Sequence, residues 1–252
     1  MNAFFSPTAQ CIVRWQDLPG TGIPLVFVHG LGCASSYEYP RVVCDPQFGR
    51  RRAILIDLPG CGYSEKPEAY SYALTDQAKV VAEVVEHLQL EKCYLYGHSM
   101  GGSISIEAAG MLNPRLQGLI VSEPNFHPGG GFFSRKICSY NEYAFINGVC
   151  QQMVKDEPGP WAGSLAMDAP EAVWRGAADM IKGKEWLADF IGLPVRKQLI
   201  FGENSLPDDD FSLLCEAGVS AVVLPECGHC MSWEAPAALA RALSAFCCGE
   251  RE

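Results

Sequence analysis

Leu95-Tyr96-Gly97-His98-Ser99-Met100-Gly101-Gly102 decides the fold. An apolar, strand-like run over 92–96 enters Gly-x-Ser-x-Gly there and passes at once into helix-forming sequence. A serine lifted clear on a sharp strand-to-helix turn needs small neighbours, because the backbone is crowded, and Gly97 and Gly101 stand two residues either side of Ser99. The turn also sets Ser99 at a helix N-terminus, where unpaired N–H groups and the dipole favour developing negative charge. The pentapeptide also fits an ordinary glycine-rich turn. The surrounding chain decides between the two.

Upstream, the short apolar, β-branched runs 12–16 and 25–28 read as strands joined by a turn at Asp17-Leu18-Pro19-Gly20-Thr21-Gly22. The second ends in His29-Gly30-Leu31-Gly32, where glycines after a buried strand let the backbone aim N–H groups into a cavity facing the serine. Leu31 and Met100 are the two amides expected to form an oxyanion hole, and His29 is read as holding its loop by hydrogen bonds. Residues 53–56 form a third strand, apolar throughout as a doubly buried strand is, and Asp57 after it reads as an acceptor of backbone N–H groups in the turn. Thr75 is the expected N-cap of a helix reaching about Leu90.

Downstream, residues 103–111 continue a helix of small residues that Asn113-Pro114 ends, and 119–121 form the next strand. This alternation predicts an α/β fold, a mostly parallel twisted sheet with right-handed crossovers, flanked by helices. From 124 to 193 the pattern changes to helical, aromatic-rich sequence without a clear buried strand. It reads as a helical cap inserted into a core formed by 1–123 and 194–252. The sheet resumes at 196–201 and 221–224, and a last helix runs from about Pro236 to about Cys247.

A chain of 252 residues, 48% hydrophobic, buries one large core. Its formal net charge is -10 and its longest basic run is Arg50-Arg51-Arg52, so it offers no basic stripe to nucleic acid or to an anionic membrane. Residues 1–10 lack a basic stretch leading into a long apolar run, and no uninterrupted apolar segment approaches a membrane span; a soluble, cytoplasmic protein is expected. The 12 cysteines are scattered, which predicts buried thiols in place of a disulfide framework. Cys227-Gly228-His229-Cys230 has redox and metal-ligand spacing, but only 22 residues follow it and no second Cys/His pair accompanies it. No metal and no cofactor is therefore expected.

Together, His29-Gly30 after a strand, Asp57-Leu58-Pro59-Gly60-x-Gly62-x-Ser64, Gly97-His98-Ser99-Met100-Gly101-Gly102, and Gly228-His229 followed by Glu234-x-Pro236 resemble the α/β-hydrolase family over nearly the whole chain outside the inserted segment. The resemblance implies Ser99 as nucleophile and His229, after the last strand, as the base; His98, beside the serine, is read as pointing away. The family usually places its acid where this chain has Ser205. Glu123, directly after the strand ending at Ser122, occupies the position that some relatives, haloalkane dehalogenases among them, use instead, and Asp208 is the alternative. An aspartate fills the elbow of haloalkane dehalogenases and epoxide hydrolases, so Ser99 disfavours both. The expected activity is cofactor-independent cleavage of a small-molecule carboxylic ester or thioester through an acyl-enzyme. Other chemistry on the same three residues (C–C hydrolysis, amide hydrolysis, hydroxynitrile lysis) and a non-catalytic small-molecule receptor are the alternatives.

Overall fold

The computed structural model describes residues 1–249. Eight strands form one sheet: β1 (Asn2–Ser6), β2 (Cys11–Leu18), β3 (Thr21–Val28), β4 (Arg51–Asp57), β5 (Cys93–His98), β6 (Leu116–Ser122), β7 (Arg196–Gly202) and β8 (Ser220–Leu224), in the spatial order β1-β2-β4-β3-β5-β6-β7-β8. β1 pairs antiparallel with β2 and β2 antiparallel with β4, while every pairing from β4 onward is parallel. β1 is absent from the sequence reading. Its pattern, Asn-Ala-Phe-Phe-Ser, does not alternate, and its register is fixed by β2 (Phe4 opposite Val13). β2 and β3, consecutive in the chain, are separated in the sheet by β4.

The helices are α1 (Ser35–Glu38), α2 (Pro40–Val43), α3 (Leu74–His87), α4 (Met100–Leu112), α5 (Phe132–Cys138), α6 (Glu142–Ala144), α7 (Cys150–Asp156), α8 (Trp161–Leu165), α9 (Pro170–Lys182), α10 (Trp186–Gly192), α11 (Asp209–Glu216), α12 (Met231–Glu234) and α13 (Pro236–Cys248). Alternate strand residues part between two apolar layers. Val26, Val28, Ile54, Ile56 and Leu95 face α3 and α4, whereas Leu25, Phe27, Leu55, Tyr94 and Tyr96 face α2 and α13. Burial on both faces explains why these strands read as continuous apolar runs.

Helix α3 corrects the expected cap. It begins at Leu74 with Ala73 as N-cap and no side-chain cap bond. The Leu74 N–H donates to the Asp179 carboxylate of α9 at 2.8 Å, so a carboxylate from elsewhere in the chain satisfies a first-turn N–H. Thr75 lies inside the helix, its hydroxyl accepting from Lys184 Nζ at 2.7 Å.

Helices α5 to α10 all lie between β6 and β7. Ile137, Phe145, Trp186 and Phe190 from this stretch join the same apolar cluster as Val26 and Leu95. Among the described residues no helix is long and apolar enough to cross a membrane.

Candidate active site

The serine turn follows from the glycines around it. A Cβ on Gly97 would run into the Gly101 carbonyl and the Ser105 hydroxyl, and one on Gly101 into the carbonyls of Val28 and His29. Between them Ser99 takes φ 53 and ψ −125, a positive φ that a non-glycine residue adopts only at a cost. Its N–H donates to the Ser122 carbonyl on β6 at 2.9 Å. Among the described residues its hydroxyl has no hydrogen-bond partner, and it lines a cavity of ≈ 380 Å³.

Leu31 lines the same cavity, its carbonyl held by Trp161 Nε1–H at 3.1 Å. Met100 is the first residue of α4, where backbone N–H groups have no partner within the helix. His29 is fully buried: its Nδ1–H donates to the Gly30 carbonyl at 2.9 Å and its Nε2 accepts the Leu58 N–H at 3.1 Å. Those two bonds fix one neutral tautomer, and burial lowers its pKa. Asp57 accepts from the Ser36 N–H at 2.9 Å, the Ser36 hydroxyl at 2.7 Å and the Tyr63 N–H at 3.0 Å, and thereby organises the turn.

His229, on the loop after β8, holds its Nδ1 2.7 Å from Glu123 Oε2. The other Glu123 oxygen accepts the Gly202 N–H at the end of β7 at 2.9 Å, and Glu123 itself sits at φ 39 directly after β6. Burial works to raise the Glu123 pKa; His229, the Gly202 amide and the Ser205 hydroxyl outweigh it, and the carboxyl is held below its ordinary value. Ser205, where a family acid usually stands, thus helps hold the carboxylate supplied by Glu123. Asp208 is not brought to His229. It caps α11, accepting the Phe211 N–H at 2.8 Å.

His98 overturns its sequence reading. β5 extends through His98, opposite Ser122 of β6, and the imidazole lines the cavity with its ring centroid 4.6 Å from that of His229. Its Nδ1 lies 2.9 Å from the Ser122 hydroxyl, which in turn lies 2.8 Å from the Tyr96 hydroxyl. Burial, then repulsion from His229, pushes the His98 pKa down, so the ring beside His229 is neutral.

Phe132, Phe133 and Trp161, all from between β6 and β7, complete the apolar wall. Cys33 and Cys230 also line the cavity, and burial pushes both thiols up. Cys33 and Cys230 are both free thiols, and the described residues contain no group of three or more His, Cys, Asp or Glu side chains arranged to hold a metal ion. Glu38, Ser232 and Trp233 line the cavity as well. No motif in the sequence singles out Glu38, because its partners Ser232 and Trp233 lie 194 and 195 residues away.

A family model described as "Alpha/beta hydrolase family" matches residues 25–242. Among curated proteins, the chain is 36% identical over 112 residues to the dihydrolipoyllysine-residue acetyltransferase component of the acetoin cleaving system of Pseudomonas putida, covering 43% of this chain and 29% of that one. It is 31% identical over 140 residues to haloalkane dehalogenase 2 of Mycobacterium tuberculosis, covering 51% and 48%. The chain therefore spans less than half the length of these two relatives. Among solved structures, a thermophilic esterase from Thermogutta terrifontis superposes with a TM-score of 0.81 at 20% identity, covering 98% of each chain.

Proposed function

Because the chain belongs to the alpha/beta hydrolase family, we propose that it is a serine hydrolase that cleaves a carboxylic ester or thioester through an acyl-enzyme. The observation that carries the proposal is the 2.7 Å Glu123–His229 contact beside a cavity that also exposes the unpartnered Ser99 hydroxyl. Ser99 Oγ attacks the acyl carbon and His229 Nε2 takes its proton, while Glu123 holds the Nδ1–H and steadies the imidazolium. The Leu31 and Met100 amides stabilise the oxyanion as it forms, in a site where partial burial strengthens each hydrogen bond. Collapse of the tetrahedral intermediate sends the proton from His229 to the departing alcohol or thiol, and a water repeats the sequence on the acyl-enzyme. His98, neutral and packed on His229, limits the tilt of that ring without competing for the proton. Residues 124–193 serve as a cap in this reading, supplying the apolar wall over the acyl group.

The test is rapid labelling by a fluorophosphonate probe together with turnover of a p-nitrophenyl ester series of graded chain length. Ser99→Ala and His229→Ala are each expected to lose several orders of magnitude in kcat while keeping the wild-type melting profile, since members of such a group act as a unit. Near-wild-type turnover in either folded variant overturns the assignment.

A further inference from the structure

Three carboxyl groups, Glu38, Glu123 and Glu157, line the cavity, and among the described residues no lysine or arginine does. Glu123 is engaged by His229. Glu38 has no such charged partner: it is 7% exposed, and its Oε2 accepts two neutral donors, Ser232 Oγ and Trp233 Nε1, each at 2.7 Å. Arg41 attracts the Glu38 charge, but it is stacked on the Trp233 ring with Cζ 3.3 Å from the centroid and does not line the cavity. Burial works against ionisation of Glu38 and raises its pKa. A buried carboxylate hydrogen-bonded only by neutral donors, Ser232, Trp233 and the Cys33 thiol, with the attracting Arg41 outside the cavity, is costly; an entering cation adds countercharge inside the cavity, whereas an entering anion meets repulsion in a medium that screens poorly.

We infer that Glu38 sets the charge selectivity of this cavity, which takes substrates bearing an ammonium group and turns away those bearing a carboxylate. The inference rests on the proposed hydrolase reading for where the substrate sits. The apolar side chains Phe132, Phe133 and Trp161 suit the methylene stem of such a substrate, leaving its charged end to Glu38.

Three methyl esters of matched length provide the test: methyl 6-aminohexanoate, methyl heptanoate and monomethyl pimelate, assayed at about pH 8, where the amine is still charged. The expected kcat/KM for the ammonium ester exceeds that for the carboxylate ester at least tenfold, and in Glu38→Gln this ratio falls at least fivefold. Glutamine suits the comparison because its amide oxygen has two lone pairs and keeps both bonds from Ser232 and Trp233 while the charge is removed. Equal or reversed preference in the wild-type protein overturns the inference, with no variant required. An unchanged ratio in folded Glu38→Gln also overturns it, because the preference then comes from the long-range field of a chain with net charge -10. If none of the three esters is turned over, the hydrolase reading falls and charge selection is judged by binding. Titration of the same esters against tryptophan fluorescence then supports the inference if the ammonium ester binds tenfold tighter than the carboxylate ester, and overturns it if the two bind alike.

Discussion

Glu123 and Asp208 are both carboxylates placed just beyond a strand or at a helix start, and their surroundings give them different work. Glu123 divides its two oxygens between His229 and the Gly202 amide, whereas Asp208 spends its Oδ1 on the first turn of α11. Glu123→Gln is therefore expected to lose on the order of 10⁴ in kcat, the scale of an acid-to-amide change that leaves the imidazole in the wrong tautomer. Asp208→Asn is expected to stay within about tenfold, since asparagine caps a helix as well as aspartate does. Steady-state kinetics on the two purified variants compare them directly, and the reverse pattern reassigns the acid. The Glu123 pKa also fixes a stability signature. Its value in the folded chain is depressed, so the stabilisation is present above the ordinary carboxylate pKa of about 4.3 and is lost as pH falls through the lower folded value. The stability gap between wild type and Glu123→Gln should thus narrow only in acid, as chemical denaturation across pH will show.

At the scale of elements, Asp168 joins the segment between α8 and α9 to the loop after β4. Its Oδ1 accepts the Gly62 N–H at 3.0 Å, while its Oδ2 is buried with no partner. Burial holds the carboxyl well above its ordinary value, and the bonds from Gly62 and Cys61 only partly offset this. A folded pKa above the unfolded one stabilises fully below the unfolded value of about 3.9, and that contribution is lost as pH rises through the folded value. Asp168→Asn, which cannot ionise, is accordingly expected to be more stable than wild type at neutral pH, with the difference vanishing at a pH low enough to protonate the wild-type carboxyl. Urea midpoints at two or three pH values measure this; a variant less stable than wild type at neutral pH would mean that Asp168 is ionised and satisfied there. Nothing in Met167-Asp168-Ala169-Pro170 marks this role, because the Gly62 partner lies 106 residues away.

For the molecule as a whole, the residues between β6 and β7 share their apolar core with the sheet. Trp186 of α10 is 1% exposed and donates from Nε1 to Glu107 of α4, the helix that begins at the serine turn, at 2.9 Å. The expected consequence is one cooperative unfolding transition, coincident by calorimetry, far-ultraviolet circular dichroism and tryptophan fluorescence. Trp186→Ala should destabilise that single transition by about 3–5 kcal/mol, the cost of removing a large buried aromatic side chain. Two resolved transitions, with only one shifted by the substitution, would make the helical segment an independently folding unit.

What the sequence determined by itself is what depends on near neighbours. The crowding that admits only glycine at 97 and 101, the apolar runs of β3 to β8 and the Asp57 turn are set within a few residues of each other, so composition and spacing express them. The strand-end position of Glu123 points to it as the acid beside the alternative Asp208, but only the tertiary structure shows its carboxylate against His229, the His98 ring turned toward the cavity, Asp179 serving the first turn of α3 and Glu38 in the cavity wall. Glu123 and His229 are 106 residues apart and Glu38 and Ser232 are 194 apart. Chain spacing does not fix such distances; they are set by sheet order, which places β6 between β5 and β7 and so brings the ends of β5, β6 and β7 to one edge. Sheet order results from burying both faces of every central strand at once, a condition on the whole chain that no local stretch contains.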